Sequence, residues 1–219
     1  MRWYISGVIP LTNGYETMQF AALLSMLAAL LMSNRGRLLA LDTGFLISGF
    51  TLLVSHITQQ NPQITTLMPV LQSPWLSSHV SLIMLSYTLF AFITLNALFA
   101  LALLAWQKHM RQPHSDEALQ RITLLSRLLH YPALLLLSVG IFLGAVWANQ
   151  SWGSYWSWDP KESWALITMM VYSLPFHRQS LPWLRRPMAF HLYMLLAFCI
   201  LLMTYFGVNY LLGGMHSYA

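Results

Sequence analysis

With 219 residues, 57% of them hydrophobic and only 8% charged, the chain is far from a soluble domain, in which about 25% of residues carry charge. That balance marks an integral membrane protein. The formal net charge of +5 is scattered among apolar runs and forms no stripe, which excludes a nucleic-acid partner. The one cysteine, Cys199, lies inside an apolar run, which excludes a disulfide framework and any CxxC or CxxCH motif in the chain itself.

Residues 1–14 lack the charged start, apolar core and small-residue cleavage site of a signal peptide. Six apolar segments follow that are long enough to cross a bilayer at roughly 20 residues per span: 15–33, 38–56, 79–106, 129–147, 161–177 and 188–211. The third is overlong, so it tilts or protrudes. No polar stretch between them is long enough for a soluble domain. The expected fold is an all-α bundle of about six transmembrane helices, a single domain over 1–219 with a Trp-rich loop at 147–164.

Arg35, Arg37, Lys108, Arg111, Arg121, Arg127, Arg178, Arg185 and Arg186 fall in the three loops on one side of such a bundle; only Arg2 and Lys161 fall on the other. The positive-inside rule makes the first side cytoplasmic. Both termini, the 57–78 loop and the Trp-rich loop are then external. The 57–78 loop holds no charged residue but has Pro62, Pro69 and Pro74, so it lies along the membrane surface or folds over the Trp-rich stretch.

The densest feature is the run W-A-N-Q-S-W-G-S-Y-W-S-W-D-P-K-E-S-W from Trp147 to Trp164. It holds five of the nine tryptophans (Trp147, Trp152, Trp156, Trp158, Trp164) and Tyr155. An interfacial aromatic belt needs roughly one or two indoles per helix end. Five around a glycine read instead as a platform for a large, flat, apolar ligand. The run ends in a helix start: Asp159 suits the N-cap, Pro160 the first helical position and Glu162 the third position of a capping box.

Of the eight histidines, His109 and His114 read as solvated residues of an inner loop, and His56, His130 and His191 as polar groups at the membrane interfaces. His79 opens the third span, and His216 follows the sixth in L-L-G-G-M-H-S-Y. Both therefore emerge beside the Trp-rich loop, and Gly213 and Gly214 let the chain turn back toward it. Two neutral imidazoles across a flat aromatic site are what six-coordinate haem iron takes as axial ligands. His177 ends the fifth span; an ionisable group there marks a functional site by default, and it equally suits a cap on the last helical carbonyls.

The segment W-G-S-Y-W-S-W-D-P-K-E-S-W (152–164) resembles the tryptophan-rich signature of the cytochrome c assembly family. The longer run V-W-A-N-Q-S-W-G-S-Y-W-S-W-D-P-K-E-S-W-A-L-I-T looks like its CcsA branch rather than the CcmC or CcmF branches. N-G-Y-E-T (13–17), P-W-L-S-S-H-V-S-L-I-M-L-S-Y (74–87) and F-G-V-N-Y-L-L-G-G-M-H-S-Y (206–218) resemble further segments of that branch, the last two bearing its external haem histidines. His177 with Arg178 matches its transmembrane histidine. Gly14 stands where a larger apolar residue is usual, and Met169 or Met170 where the family often has another Trp. Many members carry further N-terminal spans, so this chain looks like the assembly core.

The resemblance implies a haem-handling subunit of a cytochrome c synthase. Its cargo is haem b, held by His79 and His216 on the iron and by Trp152, Tyr155, Trp156, Trp158 and Asp159 around the ring. His177 would serve an inner site whose other ligand a second subunit supplies. The implied partners are a CcsB/ResB-type membrane subunit, membrane lipid and an apocytochrome c bearing CxxCH; the implied location is the bacterial inner membrane, or the thylakoid membrane for a plastid-encoded chain. Asp159 and Glu162 fit the capping box better than an acid–base role. The rival reading is a haem carrier or exporter of the CcmC type, which loads a haem chaperone without catalysing attachment. A channel fits poorly, because the acidic residues in the spans, chiefly Glu16 and Asp42, form no relay.

The charge asymmetry predicts that a cysteine placed at Ser151 reacts with an impermeant reagent from outside the cell, and one placed at Ser115 does not. The reverse pattern would refute the topology.

Overall fold

A computed structural model describes residues 4, 11, 13–33, 38–57, 72–110 and 116–212. His216, Gly213, Gly214, His114 and most of the 57–78 loop lie outside the described residues. Six α-helices account for most of what is described: α1 Gly14–Ser33, α2 Leu38–Ile57, α3 Pro74–Met110, α4 Asp116–Trp152, α5 Pro160–Ser173 and α6 Pro187–Leu202. Two 3₁₀ turns, Leu174–His177 and Pro182–Arg185, join α5 to α6, and α6 runs on as a π-helical stretch, Met203–Leu212. The all-α membrane bundle read from the sequence is the fold observed.

Among the described residues, four stretches are long and apolar enough to cross a bilayer, 14–31, 74–107, 117–152 and 187–209, and a shorter apolar stretch covers 41–57. The expected spans differ from these helices at their ends, for physical reasons. Helices α3 and α4 have 37 residues each, about 55 Å at 1.5 Å per residue. That exceeds the ~30 Å hydrocarbon core, so both protrude. The fifth expected span, 161–177, is α-helical only to Ser173, because Pro175 has no N–H to continue the ladder and the chain tightens into the 3₁₀ turn. The Trp-rich loop is also shorter than its sequence suggests. Helix α4 carries on through Trp147 and Trp152, leaving only residues 153–159 non-helical.

Apolar residues point outward and many polar ones inward, as expected where lipid, not water, is the outer solvent. Leu23, Leu27, Leu30, Phe45, Phe50, Leu135, Phe142 and Leu196 are exposed, whereas Ser25, Ser86, Thr88, Thr94, Asn96, Thr168 and Thr204 are buried. The buried hydroxyls answer backbone carbonyls, some across helices: Ser86 of α3 donates to the Ala133 carbonyl of α4 at 2.7 Å. The main core joins α3, α4, α5 and α6 through Phe90, Ile93, Leu137, Tyr172, Phe190 and Met194. Its centre is the stacked pair Phe90–Tyr172, ring centroids 3.7 Å apart.

His130 and His191, read from the sequence as polar groups at the membrane interfaces, face inward between the helices. Both are buried in this core, where His130 stacks on Phe176 at 4.7 Å and His191 Nε2 pairs with the Thr123 hydroxyl at 2.9 Å.

Removing a ring from this core opens a cavity that the packed helices cannot fill. Phe90→Ala therefore costs about 3–5 kcal/mol, and should lower the apparent Tm in detergent strongly. Phe142→Ala, on a ring facing lipid, should leave it nearly unchanged. Equal shifts would show that the Phe90–Tyr172 stack is not the centre of the fold.

Candidate functional site

The start of α1, the starts of α3 and α5, and the ends of α4 and α6 meet at one end of the bundle, around a cavity of about 250 Å³. Its wall is mostly apolar: Leu76, Val80, Ile83 and Met84 of α3, and Ile141, Gly144, Ala145 and Trp147 of α4. Tyr155 and Trp156 of the loop close one side, and Thr204, Tyr205 and Asn209 of the α6 extension another.

His79 lines this cavity. Its Nδ1 lies 2.6 Å from the Gly140 carbonyl of α4. A carbonyl can only accept, so Nδ1 carries the proton and donates, and the ring's lone pair lies on Nε2. A backbone carbonyl on one nitrogen and a basic nitrogen opposite is the arrangement that orients metal-binding imidazoles. One turn along α4, Gly144 leaves room for the ring: a Cβ there would sit 2.7 Å from both Cε1 and Nδ1 of His79. A Cβ on Gly140 would meet Ile83 Cδ1 at 2.7 Å. The pair Gly140-x-x-x-Gly144 thus lets α3 approach α4 closely and seats the imidazole against bare backbone.

The loop is shaped by two devices. Gly153, at φ +78°, ends α4, its N–H bonding the Asn149 carbonyl at 2.9 Å. The predicted capping box then starts α5. The Asp159 carboxylate accepts from the Lys161 N–H at 2.9 Å, while Glu162 Oε2 accepts from the N–H groups of Ser157 at 2.8 Å and Asp159 at 3.3 Å. Both carboxylates hold the loop's own backbone. Between the devices, Trp158 adopts φ +59°, rare for a bulky residue.

The predicted platform residues do not all face the cavity. Tyr155 and Trp156 line it. Trp152 packs edge-on against buried Trp147 at 4.8 Å, and Trp158, 72% exposed, meets Trp156 edge-on at 5.9 Å. His177 lies at the far end of α5, exposed, with Nδ1 donating to the Ser173 carbonyl at 3.3 Å. The structure does not bring it to the cavity.

Several lining residues were not singled out from the sequence. Thr17 of α1 bonds the Tyr205 hydroxyl at 3.0 Å, and Tyr87 meets the Tyr205 ring edge-on at 6.2 Å, so three helices close the cavity floor. Asn209 Nδ2 donates to the Tyr205 carbonyl at 2.6 Å within the π-helical stretch, a distortion common at functional sites. The small-xxx-small pattern of Gly140 and Gly144 was the legible signal. Nothing local marked Lys161 as a lining residue.

Residues 11–216 match the cytochrome C assembly protein family. The chain belongs to that family. It is 42% identical over 219 residues to Protein NrfI of Wolinella succinogenes, covering 100% of this chain but only 24% of that protein. It is 36% identical over 241 residues to the cytochrome c biogenesis protein CcsA of Guillardia theta, covering 99% of this chain and 79% of that one, and 32% identical over 252 residues to CcsA of Prochlorococcus marinus. The protein is an integral membrane protein of cytochrome c biogenesis, a process whose family implies haem handling.

A methyl group at Gly144 must push the His79 ring away from its seat. Gly144→Ala should therefore cut cytochrome c maturation at least about tenfold, the loss expected from roughly 1.4 kcal/mol of misplacement. Gly49→Ala, with nothing within 4 Å of the added carbon, should not. Normal maturation in Gly144→Ala, with the protein stably inserted, would remove His79 from the working site.

Proposed function

We propose that this chain is the haem-handling subunit of a CcsA-type cytochrome c synthase, and that the cavity at the Trp-rich end receives haem b for attachment to an apocytochrome c. The observation carrying the reading is His79: an imidazole held by a backbone carbonyl, with its basic nitrogen on a ring that lines a large apolar cavity. His216 is the second axial ligand. It follows the π-helical stretch whose Thr204, Tyr205 and Asn209 line the same cavity, which supports its reach. Tyr155 and Trp156 pack the macrocycle, and Trp158, exposed at the rim, meets the incoming apocytochrome.

The chemistry is positional. A thiol of the apocytochrome's CxxCH adds its S–H across a vinyl C=C to give a thioether, with no net oxidation. The protein supplies no nucleophile. It holds the ring in place, excludes water with an apolar wall, and so raises the effective concentration of the reacting pair. By the charge asymmetry the cavity faces outward, away from the cytoplasm or stroma. His177, exposed at the inner end, takes haem together with a ligand from a CcsB/ResB-type partner and passes it to the external cavity. The membrane is the bacterial inner membrane, or the thylakoid membrane for a plastid-encoded chain.

His79→Gly and His216→Gly should each leave the iron a vacant axial position that added imidazole fills, restoring both the six-coordinate spectrum and part of cytochrome maturation. Only neutral imidazole ligates, so rescue should fade as the pH falls. The same change at His109 or His114 should do nothing. An unaltered haem spectrum with full maturation in both variants would overturn the reading.

A further inference from the structure

A haem held only along its iron–imidazole axis is free to turn about that axis. Its periphery is not uniform: two carboxylates lie along one edge and the two reactive vinyls lie elsewhere on the ring. Attachment therefore needs a second anchor, one that recognises the carboxylate edge.

We propose that Lys161 is that anchor, binding a carboxylate of the macrocycle and so fixing which edge the apocytochrome meets. This rests on the haem reading of the cavity. Among the described residues, Lys161 is the one Lys or Arg lining the cavity, whose wall is otherwise apolar or neutral apart from Glu162 and His79. The side chain is half-buried. Its placement does not serve the helix: it lies in the first turn of α5, where the macrodipole disfavours a cation.

The neighbouring Asp159 favours the ammonium electrostatically but forms no ion pair with it. Asp159 accepts from the backbone N–H of Lys161 rather than from its ammonium, and Glu162 is engaged with the N–H groups of Ser157 and Asp159 and with the Ser157 hydroxyl. No described carboxylate forms an ion pair with the Lys161 ammonium. The result is a half-buried cation facing a mostly apolar cavity, with no ion pair to either neighbouring carboxylate. A charge-assisted bond from ammonium to a ligand carboxylate satisfies it, and the surrounding apolar wall strengthens that bond.

The test compares haem b with its dimethyl ester, which keeps the ring, iron and vinyls but has no carboxylate charge. Both are titrated into the purified full chain, wild type and variants, and followed by the His79-dependent spectrum. The wild type should bind haem at least about tenfold tighter than the ester, a preference of roughly 1.4 kcal/mol. Lys161→Met should lower haem affinity to that of the ester while leaving ester affinity and the axial-ligand spectrum unchanged, which shows that the fold and the iron site are intact. Lys161→Arg should restore most of the preference. A Lys161→Met protein that still prefers haem over the ester overturns the proposal. If the wild type shows no His79-dependent spectrum with either compound, the haem reading of the cavity fails first, and this inference falls with it.

Discussion

Helices α3 and α4 approach so closely at Gly140 and Gly144 that a histidine ring rests on bare backbone, and the cavity depends on that contact. In a bilayer, apolar surface gains nothing by leaving lipid for a neighbouring helix, so close approach through small residues and interhelical hydrogen bonds has to hold the helices together. Here one hydrogen bond, His79 Nδ1 to the Gly140 carbonyl, both joins the helices and sets the tautomer of a lining imidazole. Structure and chemistry share one contact. A change that loosens the packing also disorders the site.

The second constraint is the order of the loop between α4 and α5. A stretch with three bulky aromatics could collapse onto lipid in many ways. Gly153 stops α4, and the capping box starts α5 six residues later, so only a short tether remains between two fixed ends. Within it Tyr155 and Trp156 turn to the cavity, while Trp158 is held outward with a positive φ. Asp159 and Glu162 thus act as framework groups within the most distinctive motif of the chain.

The segments that resemble the CcsA branch converge in space. Asn13, Gly14 and Thr17, the α3 stretch beginning at Leu76, the loop aromatics and Asn209 all border one cavity, although they span nearly the whole chain. His177 is the exception. It lies at the opposite end of α5, exposed, so any part it plays is played at a different surface from His79.

Much of this protein is local, and the sequence determined it alone. Span positions follow from apolar length, and the α5 start follows from Asp159, Pro160 and Glu162 acting within one turn. Which face of each helix turns inward is not local. These helices are apolar nearly all round, so hydropathy carries little rotational phase, and packing against neighbours set it instead. That is why tertiary structure alone placed His130 and His191 in the core, turned Trp152 onto Trp147 and Trp158 outward, and brought Lys161 to the cavity wall. Tryptophan density names a surface but not the end of the helix beneath it; α4 runs on past Trp147 until Gly153 stops it.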